Sequence, residues 1–216
     1  MKPAVVIIDY QLGNLFSVKQ ACEWLGHRAI ISSDPETLLS ADFAILPGVG
    51  AFADAMKNLQ SIGFQDAILQ FIKSGKPFMG VCLGLQLLFD WSSEFGRTEG
   101  LGIIPGSIEK FEVQNQGGHI YKVPQIQWNC IHEPFSKVWE NTALQSCKSG
   151  EYMYFVHSYY AVPSDNKYLL SNTIFGNKMY CSSVLKDNVF ATQFHPEKSG
   201  LQGVNIYKDW FKIHCK

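Results

Sequence analysis

Residues 76–89, KPFMGVCLGLQLLF, run from a strand-like apolar stretch into a helix-like one without a break, and a thiol, Cys82, stands at the join between Gly80 and Gly84. Glycines on either side let a strand and a helix pack closely around a sharp turn that exposes the central side chain. This is the geometry of a nucleophile elbow with cysteine in place of serine. A thiol there meets the macrodipole and the first amides of the following helix, both of which favour the thiolate, the reactive form. The amide of Leu83 can donate to an oxyanion. Taken alone, the pattern reads equally well as a buried structural cysteine between two packing glycines.

The flanking sequence supports a strand-turn-helix reading. AVVIID (4–9) is a short buried-strand pattern, followed by a helix in which Leu15, Val18, Cys22 and Leu25 share a face and which Gly26 closes. HRAIIS (27–32) is a second strand, Asp34 is placed to cap a helix beginning at Pro35, and FAILPG (43–48) is a third strand ending in a Gly-Val-Gly loop. Helical stretches are expected over 52–59 and 65–73, and the elbow helix follows the fourth strand. Strands alternating with helices imply right-handed crossovers and a mostly parallel sheet. From about Ser107 the texture becomes β-rich: SIEKFEV, HIYKVPQIQW, EYMYFVHSYYAV, KYLLSNTIF, KMYCSSVLK and NVFATQFHPE are separated by turn residues. A last amphipathic helix is expected over 201–214, with Ser199 as its cap and Leu201, Val204, Trp210 and Phe211 on or near one face. The expectation is an α/β fold in a single domain, 1–216, with a mixed, mostly parallel central sheet and a β-rich C-terminal half.

Composition narrows the functional classes. Eighteen Lys and Arg stand against 19 Asp and Glu, for a net charge of −1, and no basic stripe is available to neutralise a nucleic-acid backbone. The apolar run near the start is too short for a signal peptide and no stretch reaches the roughly 20 residues of a membrane span, so a soluble, cytoplasmic protein is expected, without nucleic-acid or membrane partners. The six cysteines are scattered, with no C-x-x-C pair and no histidine at ligand spacing. That argues against a disulfide framework and a zinc site, and no metal is expected.

A nucleophilic cysteine needs a base and a group to orient it. FHPE (194–197) offers both: in an extended segment His195 and Glu197 project to the same side, so Glu197 can hold the imidazole while His195 faces Cys82. Alone, H-P-E also reads as a turn with a solvated pair. LPGVGAF (46–52) adds a glycine-bracketed loop at a strand end, where the backbone amide around Val49 can point at developing negative charge.

Together these motifs resemble the class I (triad) glutamine amidotransferase family. Within it they are most similar to the glutaminase subunits of imidazole glycerol phosphate synthase. The resemblance rests on DYQLGNLFSV, LPGVGAFADAM, GVCLGLQLLF, GLGIIPGSIEKF, KVPQIQWN, YFVHSYYA and QFHPEKS, which occur in the family's order over essentially the whole chain. It implies a flavodoxin-like fold with helices on both faces of the sheet, and a glutaminase that needs no cofactor. Cys82, His195 and Glu197 would be the catalytic triad, and the Val49 and Leu83 amides the oxyanion hole. Gly48, Gly50, Gln86, Glu94, Ser158 and Tyr159 would bind glutamine, with Glu94 near the end of the elbow helix. Without the resemblance, Gln86 reads as an exposed helix residue and Glu94 as a C-terminal helix charge. The ammonia would pass to a β/α-barrel cyclase subunit in a heterodimer, with Asn14, Gln125, Trp128 and Lys198 at the interface, for histidine biosynthesis. Gln11, where the family usually has glycine, and Gln125-Ile126-Gln127, in place of His-Met-Gly, depart from the pattern on that surface. They leave open a paralogous role supplying ammonia for a bacterial surface sugar. A cysteine hydrolase or esterase would share the elbow but would not require Gln86, Glu94 and HSYY together.

Overall fold

The computed structural model describes residues 4–112, 114–116 and 119–215. The first part alternates strands and helices: β1 (Ala4–Ile8), α1 (Leu15–Trp24), β2 (Arg28–Ser32), α2 (Pro35–Ser40), β3 (Phe43–Gly48), α3 (Phe52–Ser61), α4 (Phe64–Lys73), β4 (Phe78–Cys82) and α5 (Leu83–Leu87). Strands then dominate: β5 (Phe89–Ser92), β6 (Thr98–Glu99), β7 (Ile104–Lys110), β8 (Gln114–Gln116), β9 (His119–Tyr121), β10 (Gln125–Ile131), β11 (Glu151–His157), β12 (Tyr159–Pro163), β13 (Leu169–Phe175), β14 (Lys178–Lys186) and β15 (Val189–Thr192), before α6 (Gly200–His214). Local chemistry sets several of these limits. Asp34 caps α2 as expected, accepting from the amides of Glu36 at 3.2 Å and Thr37 at 3.1 Å. Gly26 follows α1 at φ +79°, the left-handed closure that suits glycine. The strand expected over 107–113 is realised as β7, and residue 113 lies outside the described residues.

Strands β2, β1, β3, β4 and β15 lie side by side in that order, all parallel. The succession 2-1-3-4-5 is that of a flavodoxin-like sheet, with its fifth parallel strand supplied from the far end of the sequence. Antiparallel β14, β12 and β7 continue the sheet beyond β15, which makes it mixed. Because helices cover both faces, β3 and β4 are buried along their whole length. Alternation along β1 divides the core in two: Val6 and Ile8 pack with Phe52, Phe64 and Phe71 of α3 and α4, whereas Val5 and Ile7 pack with Val18 and Cys22 of α1 and Tyr207 and Trp210 of α6.

Three elements depart from the sequence reading. The elbow helix ends at Leu87, and the following residues pair with a returning segment: the amides of Leu101, Ile103 and Ile104 bond to the carbonyls of Leu87 and Leu88. The stretch 119–128 is two strands, not one, divided before Pro124. In α6, Ser199 occupies the cap position, but its hydroxyl donates to the His195 carbonyl at 2.6 Å instead of capping, and Leu201 is 65% exposed, off the buried face. Among the described residues no helix is long and apolar enough to cross a membrane.

Candidate active site

The site is built where the carboxyl ends of parallel strands meet. Cys82 holds φ +56° and ψ −108°, a conformation that side chains other than glycine rarely adopt and that marks a strained turn. Both flanking glycines are needed by close approach. A Cβ on Gly80 would stand 2.9 Å from the Gly84 carbonyl oxygen, and one on Gly84 would collide with the Leu46 carbonyl of β3. With only five residues, α5 has little macrodipole to offer the thiol. What acts on the sulfur is therefore local: it approaches the Val156 carbonyl at 3.9 Å and accepts from Gln193 Nε2 at 3.8 Å.

The imidazole arrives on the neighbouring strand. Thr192 of β15 lies in register with Val81 of β4, so Cys82 and His195 emerge from the same sheet edge. His195 and Glu197 were expected to share one side of an extended segment. Instead Pro196–Lys198 is a single 3-10 turn, yet it still closes the pair, with His195 Nδ1 2.7 Å from Glu197 Oε1 and the two side chains only 2% and 1% exposed. With Nδ1–H donating to the carboxylate, Nε2 is the atom left for proton transfer; among the described residues nothing lies in bonding geometry with it, and the group that acts on it is the Cys82 sulfur. Burial alone would lower this imidazole. The charge on the Cys82 sulfur, and then Glu197, outweigh burial and raise it to about 10.

A cavity of about 250 Å³ opens in front of the sulfur, lined by Val49, Gly50, Cys82, Leu83, Gln86, Glu94, Pro124, Val156, His157, Ser158 and Tyr159. It brings together every residue expected to touch glutamine except Gly48, which lies buried opposite Cys82 in the β3–β4 ladder under the Tyr10 hydroxyl. Gln86 is buried, not exposed on a helix. Its Nε2 donates both to the Tyr159 carbonyl at 3.1 Å and to Gln193 Oε1 at 3.0 Å, so the group it can offer a ligand is its carbonyl oxygen. Glu94 lies beyond β5 rather than at a helix end, and accepts from the Phe52 amide at 2.7 Å at the start of α3. A larger open depression of about 670 Å³, around Trp139 and Asp209, contains none of these residues.

Of the four residues expected at a partner surface, Trp128 is half exposed and Lys198 is exposed. Asn14 stands at the N-cap position of α1 without a side-chain capping bond. Gln125 is a correction: it is fully buried, with Oε1 accepting from the Tyr180 hydroxyl at 3.1 Å. It is held inward at the start of β10 by the Tyr180 hydroxyl, whereas the next three residues, Ile126 to Trp128, are exposed. Gln11 keeps φ +71°, in the left-handed region that glycine enters most readily, which suits the glycine expected there from the resemblance.

Sequence reasoning missed two participants. Gln193 touches the nucleophile, and its signal was available: it lies two residues before His195, a spacing that puts both side chains on one side of an extended segment, although β15 itself ends at Thr192. His157 carries no local motif beyond its place in the strand pattern EYMYFVHSYYAV. Its Nδ1 donates to the Tyr159 carbonyl at 2.8 Å and its Nε2 lies 3.3 Å from the Tyr180 hydroxyl, and burial pushes it down to about 4, so it is a neutral donor. All six cysteines are free thiols.

Comparison with known proteins agrees with this geometry. Residues 6–213 match the family model described as glutamine amidotransferase class-I. The chain is 46% identical over 210 residues to "Imidazole glycerol phosphate synthase subunit HisH" of Syntrophotalea carbinolica, covering 95% of this chain and 98% of that protein. It is 39% identical over 211 residues to "Imidazole glycerol phosphate synthase subunit HisH 1" of Legionella pneumophila, covering 97% and 99%. The fold is shared with the structure described as PurLQS from Thermotoga maritima, at a TM-score of 0.72 and 19% identity over 98% of this chain and 99% of that one.

Proposed function

The chain belongs to the class I glutamine amidotransferase family, and on that premise we propose that it is the glutamine-hydrolysing subunit of an imidazole glycerol phosphate synthase. The observation that carries the reading is the convergence, on one 250 Å³ cavity, of the elbow cysteine with Gln86, Glu94, Ser158 and Tyr159, beside the His195–Glu197 pair. In this reading Cys82 Sγ attacks the side-chain amide carbon of glutamine. The negative charge that develops on the amide oxygen falls to the Val49 and Leu83 amides, and losing one such donor typically costs about 10²- to 10³-fold in rate. His195 Nε2 gives its proton to the leaving ammonia, and water then hydrolyses the glutamyl thioester to glutamate. Glu94, with Oε2 taken by the Phe52 amide, offers its other carboxylate oxygen to the substrate's α-ammonium, and the Gln86 carbonyl oxygen is an acceptor for substrate N–H groups.

The ammonia is passed to a β/α-barrel cyclase subunit. Val49, Ile126 and Trp128 support a partner at this edge, because their apolar side chains are exposed, Val49 in the lining of the cavity and Ile126 on the strand paired with cavity-lining Val156. A second reading, in which the ammonia goes to a surface sugar, is favoured by one feature: of the residues that depart from the family pattern, Gln11, Ile126 and Gln127 are exposed, and only Gln125 is buried.

The test uses the chain co-expressed with the cyclase from the same genome. Cys82→Ala is expected to lose glutamine-driven formation of imidazole glycerol phosphate while ammonium-driven formation survives. Loss of both would make the cysteine structural, and a wild-type pair that works with ammonium but never with glutamine would overturn the assignment. If the native partner recovered from cells is a sugar-modifying enzyme instead, the second reading replaces the first.

A further inference from the structure

Gln193 is a fully buried amide in contact with the nucleophile, and the mechanism above gives it no part. Its orientation follows from its neighbours. The Tyr159 carbonyl can only accept, so the Gln86 group beside it is the nitrogen, at 3.1 Å. The second hydrogen of that nitrogen points to Gln193 at 3.0 Å, which must therefore present Oε1 to it. This leaves Gln193 Nε2–H directed at the Cys82 sulfur, at 3.8 Å. Turning the amide over would set two nitrogens face to face, lose the Gln86 bond, and leave the sulfur facing an oxygen that can accept only from the neutral thiol.

The two groups beside the sulfur favour opposite protonation states. The Val156 carbonyl, at 3.9 Å, accepts from the neutral thiol and repels the anion. Gln193 Nε2–H donates to sulfur in either state and binds the anion more strongly, because a hydrogen bond to a charged acceptor is about twice as strong as a neutral one. We propose that Gln193 is a further catalytic residue, whose fixed amide holds the Cys82 sulfur as thiolate once its proton has passed to His195 Nε2. The proposal rests on the reading of Cys82 as the nucleophile.

The test is alkylation of Cys82 by iodoacetamide in the full chain, read by peptide mass so that the other thiols do not interfere, and followed across pH. Gln193→Leu removes the donor, and Gln193→Glu keeps the shape while setting a carboxylate oxygen against the sulfur. Each is expected to move the pH midpoint of alkylation upward by about one unit, equivalent to about tenfold less thiolate below the midpoint, with Gln193→Glu shifted further. A change in access alone alters the rate at every pH without moving the midpoint. A midpoint unchanged or lowered in a folded variant overturns the proposal, and the near-isosteric Gln193→Glu serves if Gln193→Leu does not fold. Because alkylation needs neither glutamine nor a partner, this result stands apart from the glutaminase test.

Discussion

Two buried histidines in one site are held in opposite charge states, and this gives the protein a pH signature. His157 is pushed down to about 4 by burial, below its usual 6.5. Its contribution to stability is complete above pH 6.5 and is lost as pH falls toward 4, because only the unfolded chain binds the proton in that window. The displacement corresponds to roughly 3 kcal/mol. His195 is raised to about 10, so its contribution is complete below pH 6.5 and is lost as pH rises toward 10. The thermal-unfolding midpoint is therefore expected to peak at about pH 6.5. His157→Asn, a neutral stand-in, should flatten the acid limb, and Glu197→Gln should make the alkaline limb shallower. Limbs unchanged by both substitutions would mean that neither histidine is linked to folding. Cys82, His195 and Glu197 were legible in the sequence because each carries its chemistry with its local motif. The neutral state of His157 was not, because it depends on the Tyr159 carbonyl and Tyr180 hydroxyl that tertiary packing brings to it.

At the level of elements, the elbow works because backbone approaches backbone where a side chain would otherwise stand. Gly84→Ala would drive a methyl into the Leu46 carbonyl of β3 and is expected to cost about 2 kcal/mol or more, read as a fall of several degrees in the unfolding midpoint. An unchanged midpoint would show that α5 can move away from β3 freely. The strands and helices of the parallel half were legible because their apolar runs are bounded by Gly, Pro and Asp at the turns. The end of the elbow helix was not. Leu87-Leu88-Phe89 fits a helix or a strand equally, and backbone pairing of Leu87 and Leu88 with residues 101–104 ends the helix at Leu87, so that a strand begins at Phe89. That choice also moved Glu94 from a helix end to a turn, where it still reaches the cavity.

Across the whole molecule, the exposed apolar side chains of β10 lie one strand away from the cavity, because Ile126 pairs with Val156 of β11, which lines it, so the proposed partner surface adjoins the proposed glutamine site. Ile126 is 59% exposed and Trp128 50%. Trp128→Ala is expected to weaken binding to the cyclase by about 2 kcal/mol, or roughly 30-fold, measured by calorimetric titration, with alkylation of Cys82 unaltered. Equal affinity would place the docking surface elsewhere. Membership of the parallel sheet could be anticipated from the alternation of strands and helices, but the position of β15 could not, because strand order across more than a hundred residues is set by pairing rather than by local pattern. That position matters during synthesis. Since β15 fills the gap between β4 and β14, a chain still emerging from the ribosome carries the sulfur long before the imidazole that will serve it, and leaves one edge of β4 unpaired. Release of ammonia thus awaits insertion of the last strand, and a prematurely terminated chain is both inert and prone to stick to its neighbours.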